Sequence, residues 1–242
     1  MRLRNLGAII EETIRYAYLE KYFSGRKQGG TLLDLGCGPR PYQSLYRSAY
    51  TKTIGAEHPD APFPKTDIDL YCLADNIPLE DNSIDTVLST EVMHDMAEPS
   101  DMLSEVHRIL KPGGEIVLTT PFVVPIVDGI YDHYRYTEQG LQYLLKKSGF
   151  TNITIQPVGD VFASAITLMV KPTLKFWNIL AKSTGIKAIY SAWNPLLFIT
   201  VVLPQAFYLW TKNLPILSSL YKKFNYGCIG YITIAQKPDN AG

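Results

Sequence analysis

Four short stretches place glycines, acids or a small hydroxyl where an apolar run stops. Asp34-Leu-Gly36-Cys-Gly38 follows Thr31-Leu-Leu. Glycines there let the backbone take positive φ and approach a ligand closely. The start of a following helix offers free N–H groups to a carboxylate or phosphate. Glu57 closes the run Thr53-Ile-Gly-Ala, and a carboxylate at that point can accept both hydroxyls of a ribose. Asp75 and Asn76 follow Leu73-Ala, where an acid can accept an adenine amino hydrogen. Ser89 ends the run that starts at Ser83 and faces the same crevice. One glycine pair after a strand is an ordinary turn; four such strand ends in succession point to a nucleoside-type ligand.

A second group lies further on, in Asp132-His133-Tyr134-Arg135-Tyr136-Thr137. The unperturbed pKa of a histidine side chain is near neutrality, which makes His133 a candidate general base. Arg135 can hold a carboxylate or phosphate through two parallel hydrogen bonds. His94 is a weaker candidate that can equally cap the pocket. Clusters of this kind also serve simply to tie a loop to the body. The three cysteines, Cys37, Cys72 and Cys228, are far apart and odd in number. They show neither metal spacing nor a disulfide framework, so no metal is expected and a reducing compartment fits.

The elements that must position these residues follow from periodicity. Residues 8–23 read as an amphipathic helix, and Ser24–Gly30 as a turn. Strands are expected at Thr31–Leu35, Thr53–Glu57, Ile68–Leu73, Ser83–Ser89, Glu115–Thr120, Thr151–Val158 and Gly230–Gln236. Helices are expected at Tyr42–Ser48, Pro99–Leu110 and Thr137–Ser148, the last with Thr137 as N-cap and Gly149 as its stop. Asp60–Lys65 reads as a proline-rich loop and Lys111-Pro-Gly-Gly114 as a turn. Strands alternating with helices predict an α/β fold: a mostly parallel sheet covered on both faces, with ligands at the carboxyl strand ends.

These motifs, in order, resemble those of class I S-adenosylmethionine-dependent methyltransferases. Asp34–Gly38 resembles that family's glycine loop, and Ile54-Gly-Ala-Glu57 its ribose-binding strand end. Ala74–Asp85 resembles its adenine-side motif, and Glu105–Gly114 the run before strand five. The resemblance covers about residues 28–158 and the last strand near 229–236. It implies a Rossmann-like sheet of seven strands whose last strand is antiparallel, and S-adenosylmethionine as cofactor. It also implies site residues: Asp34, Gly36 and Gly38 at the glycine loop and methionine end, Glu57 on the ribose, Asp75 and Asn76 on the adenine, Ser89 closing the pocket. Two departures stand out. Arg40 occupies a position where a third glycine is common, and His94-Asp95 reverses the usual acid-then-histidine order. A nicotinamide dinucleotide needs that third glycine to open the helix, and Pro39-Arg40-Pro41 does not supply it.

Charge is unevenly spread. The formal net charge is zero, with 23 Lys and Arg against 23 Asp and Glu, so nothing draws the chain to nucleic acid. Yet Val161–Asn225 holds seven lysines and no acid, leaving the rest at −7. This segment separates strands six and seven, which form a tight hairpin in the plain version of the fold. It carries all three tryptophans, Trp177, Trp193 and Trp210, and an uncharged stretch from Ala188 to Thr211. That stretch is long enough to span a bilayer, but one crossing would strand the last strand on the wrong side of the membrane.

The expectation is therefore three parts: a cofactor-binding core at 1–160, a helical insertion at 161–225, and the last strand and tail at 226–242. Lysines with interfacial aromatics suit an anionic membrane surface. The ordinary alternative is a lid packed on the core or on a second copy in a homodimer. The chain is also similar, through Asp132–Thr137, to methyltransferases of bacterial surface-polysaccharide synthesis, which would make the acceptor a hydroxyl of a lipid-linked glycan. A soluble enzyme acting on a quinone or other hydrophobic hydroxyl compound, and a binding protein without turnover, are the competing readings. The basic Met1-Arg-Leu-Arg start lacks a signal-length apolar run, so a cytoplasmic protein, peripheral on the inner membrane face, is expected.

Overall fold

In the computed structural model, residues 8–61, 67–126, 131–184, 195–223 and 227–239 are described. The chain divides into two compact units. The larger comprises residues 16–121, 127–156 and 231–242; the smaller comprises residues 1–15, 122–126 and 157–230.

Seven strands form one sheet in the order β3-β2-β1-β4-β5-β7-β6. They are β1 (Thr31–Leu35), β2 (Lys52–Glu57), β3 (Leu70–Tyr71), β4 (Ile84–Thr90), β5 (Leu110–Pro121), β6 (Thr151–Val158) and β7 (Gly230–Gln236). β1 pairs in parallel with β2 and β4, and β4 with β5. β7 runs the other way: Gly113 at the start of β5 donates to Lys237 just past its end, and Phe122 donates to Ile229 just before its start. The expected α/β, Rossmann-like sheet with an antiparallel last strand is thus what the chain forms. β1 and β4 are buried along nearly their whole length, as central strands with both faces covered must be.

In the larger unit, α1 (Ile9–Ser24) contributes Leu19 and Phe23 to a cluster with Leu32, Tyr46, Tyr50, Leu88 and Val117. The helix α3 (Pro99–Ile109) buries Met102, Leu103, Val106 and Ile109, which fall on one side at helical spacing. The Thr137 hydroxyl caps α4 (Glu138–Lys147) by accepting from Gly140 N–H at 3.1 Å. Gly149, at φ +89°, ends that helix in the left-handed region.

Three elements differ from expectation. The helix α2 covers only Gln43–Tyr46 instead of Tyr42–Ser48. β3 covers two residues instead of Ile68–Leu73, because this edge strand pairs only Ala56 with Leu70 and Glu57 with Tyr71. Lys111–Gly114 lies inside β5 as an irregularity in its pairing: Ile84 pairs with Leu110, and the next partners are Thr86 and Glu115. Three residues of β4 therefore lie against six of β5, the signature of a bulge.

The smaller unit carries the insertion. It contains α5 (Val161–Thr184), α6 (Pro195–Leu197), a π-helical turn at Phe198–Val202, α7 (Leu203–Thr211) and α8 (Pro215–Lys223). Asp160 caps α5 by accepting from Phe162 and Ala163 N–H at 2.9 and 3.0 Å. The expectations for Met1–Arg4, most of Asp60–Lys65 and Trp193 lie outside the described residues.

Candidate cofactor and acceptor site

The glycine turn is built from backbone constraints. Gly36 and Cys37 N–H both donate to Ala56 C=O, at 2.8 and 3.0 Å, tying the end of β1 to β2. Gly36 sits at φ +71° and Gly38 at φ +50°. A Cβ on Gly36 would lie 2.1 Å from Val92 Cγ2, so residue 36 must be glycine. Gly38 N–H donates to Glu57 Oε2 at 2.6 Å, and His58 N–H donates to Oε1 at 2.8 Å. Each Glu57 oxygen thus accepts one backbone bond and keeps a lone pair for a further donor.

Asp34 lies inward of the turn. Its side chain is buried and accepts from the Tyr46 hydroxyl at 2.7 Å. Burial pushes its carboxyl up to about 6, against the pull of the Tyr46 hydrogen bond and Arg40. Asp34 therefore braces the turn from within. Arg40 occupies the third-glycine position with a left-handed backbone, φ +50°. Its guanidinium bonds Asp69 Oδ2 at 2.9 Å, and the same oxygen accepts from Gly55 N–H at 2.8 Å. A Cβ on Gly55 would lie 2.8 Å from Arg40 Cζ. The glycine in Ile54-Gly-Ala-Glu57 is thus required by an arginine fifteen positions earlier.

Ser89 pairs with Leu35 at the carboxyl ends of β4 and β1. Its hydroxyl is buried and has no hydrogen-bond partner among the described residues. Asp75 and Asn76 are exposed in the turn after β3, where Asn76 N–H bonds Leu73 C=O at 3.1 Å. A left-handed turn, an inward carboxylate with spare lone pairs, an unsatisfied hydroxyl and an exposed acid all lie at carboxyl strand ends. That set fits a nucleoside carrying an amino-acid tail.

The second cluster assembles just past β4. His94 C=O accepts from His133 and Tyr134 N–H at 3.0 and 3.1 Å. The Tyr136 hydroxyl donates to Met93 C=O and that of Tyr134 to Ala97 C=O, each at 3.0 Å. Segment 131–137 is thereby moored to the short helical turn Met93–Asp95. Arg135 grips both oxygens of Asp132, so its fork is engaged within the protein. His133 is exposed and stacks beside Tyr131 at 6.1 Å. His94 is buried, with Nε2 3.2 Å from Asp95 Oδ1. Burial first, then the nearby Asp132 and Glu91 charges, push Asp95 up to about 6, against His94 and Arg135.

His94, Asp95 and Asp132 bring potential ligand atoms within 4.8 Å of one another. Within this group Asp132 also accepts from Arg135, and His94 Nε2 faces Asp95. Sequence reasoning noted Asp95 only as a departure and passed over Tyr46 and Asp69. Nothing local marks the last two, because each acts through a partner distant in the chain.

Comparison with known proteins agrees with this geometry. Residues 33–118 match the methyltransferase domain family model. This stretch is similar to methyltransferase domains. A probable S-adenosylmethionine-dependent methyltransferase of Mycolicibacterium smegmatis is 27% identical over 128 residues, 49% of each chain. The chain spans about half or less of the length of the curated relatives it matches first. Among solved structures, the [4+2]-cyclase SpnF superposes with a TM-score of 0.58 at 20% identity, covering 93% of this chain and 81% of that one. A Haemonchus contortus phosphoethanolamine N-methyltransferase, solved with S-adenosyl-L-methionine, gives 0.53 at 16% identity, covering 99% and 58%. These likenesses show the fold. S-adenosylmethionine is the cofactor that the matched family implies.

Proposed function

We propose that the chain is an S-adenosylmethionine-dependent methyltransferase whose acceptor is a hydroxyl on a membrane-borne compound, such as a lipid-linked glycan. The observation that carries the first half is the glycine turn held by Glu57, inside the matched domain. Fold alone would not suffice, since a neighbour of the same fold is a cyclase. The second half rests on the resemblance at Asp132–Thr137 and on the apolar, lysine-bearing insertion.

When bound, S-adenosylmethionine supplies an electrophilic methyl on a sulfonium. The chain's own work is mostly positioning. Gly36 and Gly38 let backbone lie against the methionine end. Glu57 takes the ribose hydroxyls on its spare lone pairs, Asp75 and Asn76 the adenine edge, and Ser89 offers its unused hydroxyl. A hydroxyl acceptor must lose a proton, and His133 is the base assigned to it. Arg135, locked to Asp132, positions that segment.

Calorimetry with S-adenosylmethionine and S-adenosylhomocysteine tests the first half; absence of binding at millimolar ligand sinks it. Transfer of labelled methyl into a lipid extract, with identification of the product, tests the acceptor and excludes a binding protein without turnover. His133→Ala is expected to lower turnover at least tenfold with cofactor affinity unchanged. Near-full turnover would remove His133 from the role.

A further inference from the structure

The helices of the smaller unit turn large apolar side chains toward solvent, while their protein-facing side mixes apolar with polar residues. From α6 through α7, the buried positions are Leu197, Val201, Gln205, Tyr208 and Thr211. Among the exposed positions, Leu196, Ile199, Leu203, Phe207 and Trp210 are spaced three or four apart in one continuous stripe. Gln205 is 1% exposed while Trp210 is 63% exposed. A surface helix of a water-soluble domain shows the reverse.

The long helix α5 repeats the pattern. Successive residues turn about 100° around a helix. Ala163, Thr167, Val170 and Leu174 face inward, with Val170 and Leu174 packed on Leu197 and Val201. On the opposite side stand Leu168, Met169, Phe176 and Ile179, with Met169 72% exposed. Lys175 and Lys182, both exposed, flank that apolar face on one side. Lys171, on the same flank, reaches Glu11 at 3.5 Å.

We propose that this outward face of α5, α6 and α7 docks on an anionic phospholipid surface. Two observations select a bilayer as the occupant. Val161–Asn225 has seven lysines and no acid, so an anionic headgroup layer complements it, whereas two copies face to face would oppose lysines without acids to pair them. And no helix among the described residues is long and apolar enough to cross a membrane, which fits helices lying in the interface plane with their apolar faces submerged. Phe207 and Trp210 suit the headgroup boundary. The inference stands on the smaller unit alone and does not depend on methyl transfer.

The full chain is tested with two vesicle types, phosphatidylglycerol mixed with phosphatidylcholine and phosphatidylcholine alone. The chain is expected to pellet with the first at low salt and far less with the second. Adding salt is expected to weaken binding. A triple variant, Ile199→Ser, Phe207→Ser and Trp210→Ser, is expected to lower the bound fraction about tenfold or more. Because such a variant can misfold, the unaltered chain is also measured with brominated lipid. Its tryptophan emission should be quenched, and Trp210→Phe should lose most of the quenching. A chain that stays in the supernatant with anionic vesicles at low salt overturns the proposal. So does a lipid-free dimer that never pellets and that the triple variant converts to monomer. Cofactor calorimetry on the same preparation reads the methyltransferase proposal separately.

Discussion

A methyl group added at residue 36 would overlap Val92, since an ideal Cβ there lies 2.1 Å from Val92 Cγ2. The backbone at φ +71° adds its own penalty for an L side chain. Gly36→Ala is therefore expected to cost about 2–4 kcal/mol of stability and to weaken S-adenosylmethionine binding at least tenfold. Adding Val92→Ala should recover roughly half the stability loss, because it removes the overlap and leaves the φ penalty. Urea unfolding of the four proteins of that cycle checks this, and strict additivity would refute it. Asp34 gives a different kind of test. Unfolded, its carboxyl loses a proton near pH 4; folded, burial moves that event to about 6. Between those values the folded state holds more protons, so this group's ionisation lowers stability as pH rises. Above 6 the full penalty, on the order of 2–3 kcal/mol, is present. Asp34→Asn keeps an oxygen for the Tyr46 hydroxyl and removes the ionisation. Its stability relative to the parent should rise between pH 4 and pH 6.5 in urea titrations. Parallel profiles would show that burial does not perturb Asp34.

At the level of elements, segment 131–137 depends on its mooring to Met93–Asp95. Arg135→Ala leaves Asp132 without its two-point partner, a buried carboxylate with little water to replace it. A loss of about 1–3 kcal/mol is expected, and Arg135→Lys should restore the charge but not the fork. If the segment presents the acceptor, kcat/KM for that acceptor should fall while S-adenosylmethionine affinity stays within about threefold. Equal loss of both would place the effect in general unfolding. The same elements show what a sequence can carry. β1, β6 and β7, the Thr137 cap and the Gly149 stop were readable because each is dictated by neighbours a few residues away. β3 was read too long because its length is set by how far β2 accompanies it. The turn expected at Lys111–Gly114 is absorbed into β5 as a bulge, because Leu110 and Glu115 on either side of it pair with β4 while Gly113 and Gly114 bond Lys237. In the site, Glu57 and the glycine turn were legible as a motif. Arg40 was visible only as a departure, since its reason, the bond to Asp69 across Gly55, spans 29 residues of chain. The outward apolar stripe of α6 and α7 was hidden for a related cause. An uncharged run does not say which of its faces packs on protein.

For the whole molecule, zero formal charge conceals two opposed halves. Residues 161–225 carry +7 and the remainder −7, so charge cancels in the total but not over distances comparable with the Debye length, about 10 Å at 0.1 M salt. A protein with a uniform surface should pass through a cation exchanger at its isoelectric point, here near pH 6.9. This chain is expected to be retained there at low salt, because the resin meets the lysine-bearing segment locally. Retention should vanish as salt shortens the screening length. Lys175→Gln with Lys182→Gln removes two exposed charges on α5 and should lower the eluting salt concentration, with the unfolding midpoint unchanged, since exposed lysines contribute little to stability. Passage in the void volume at pH 6.9 and low salt would mean that the segment's charge is masked within the folded chain.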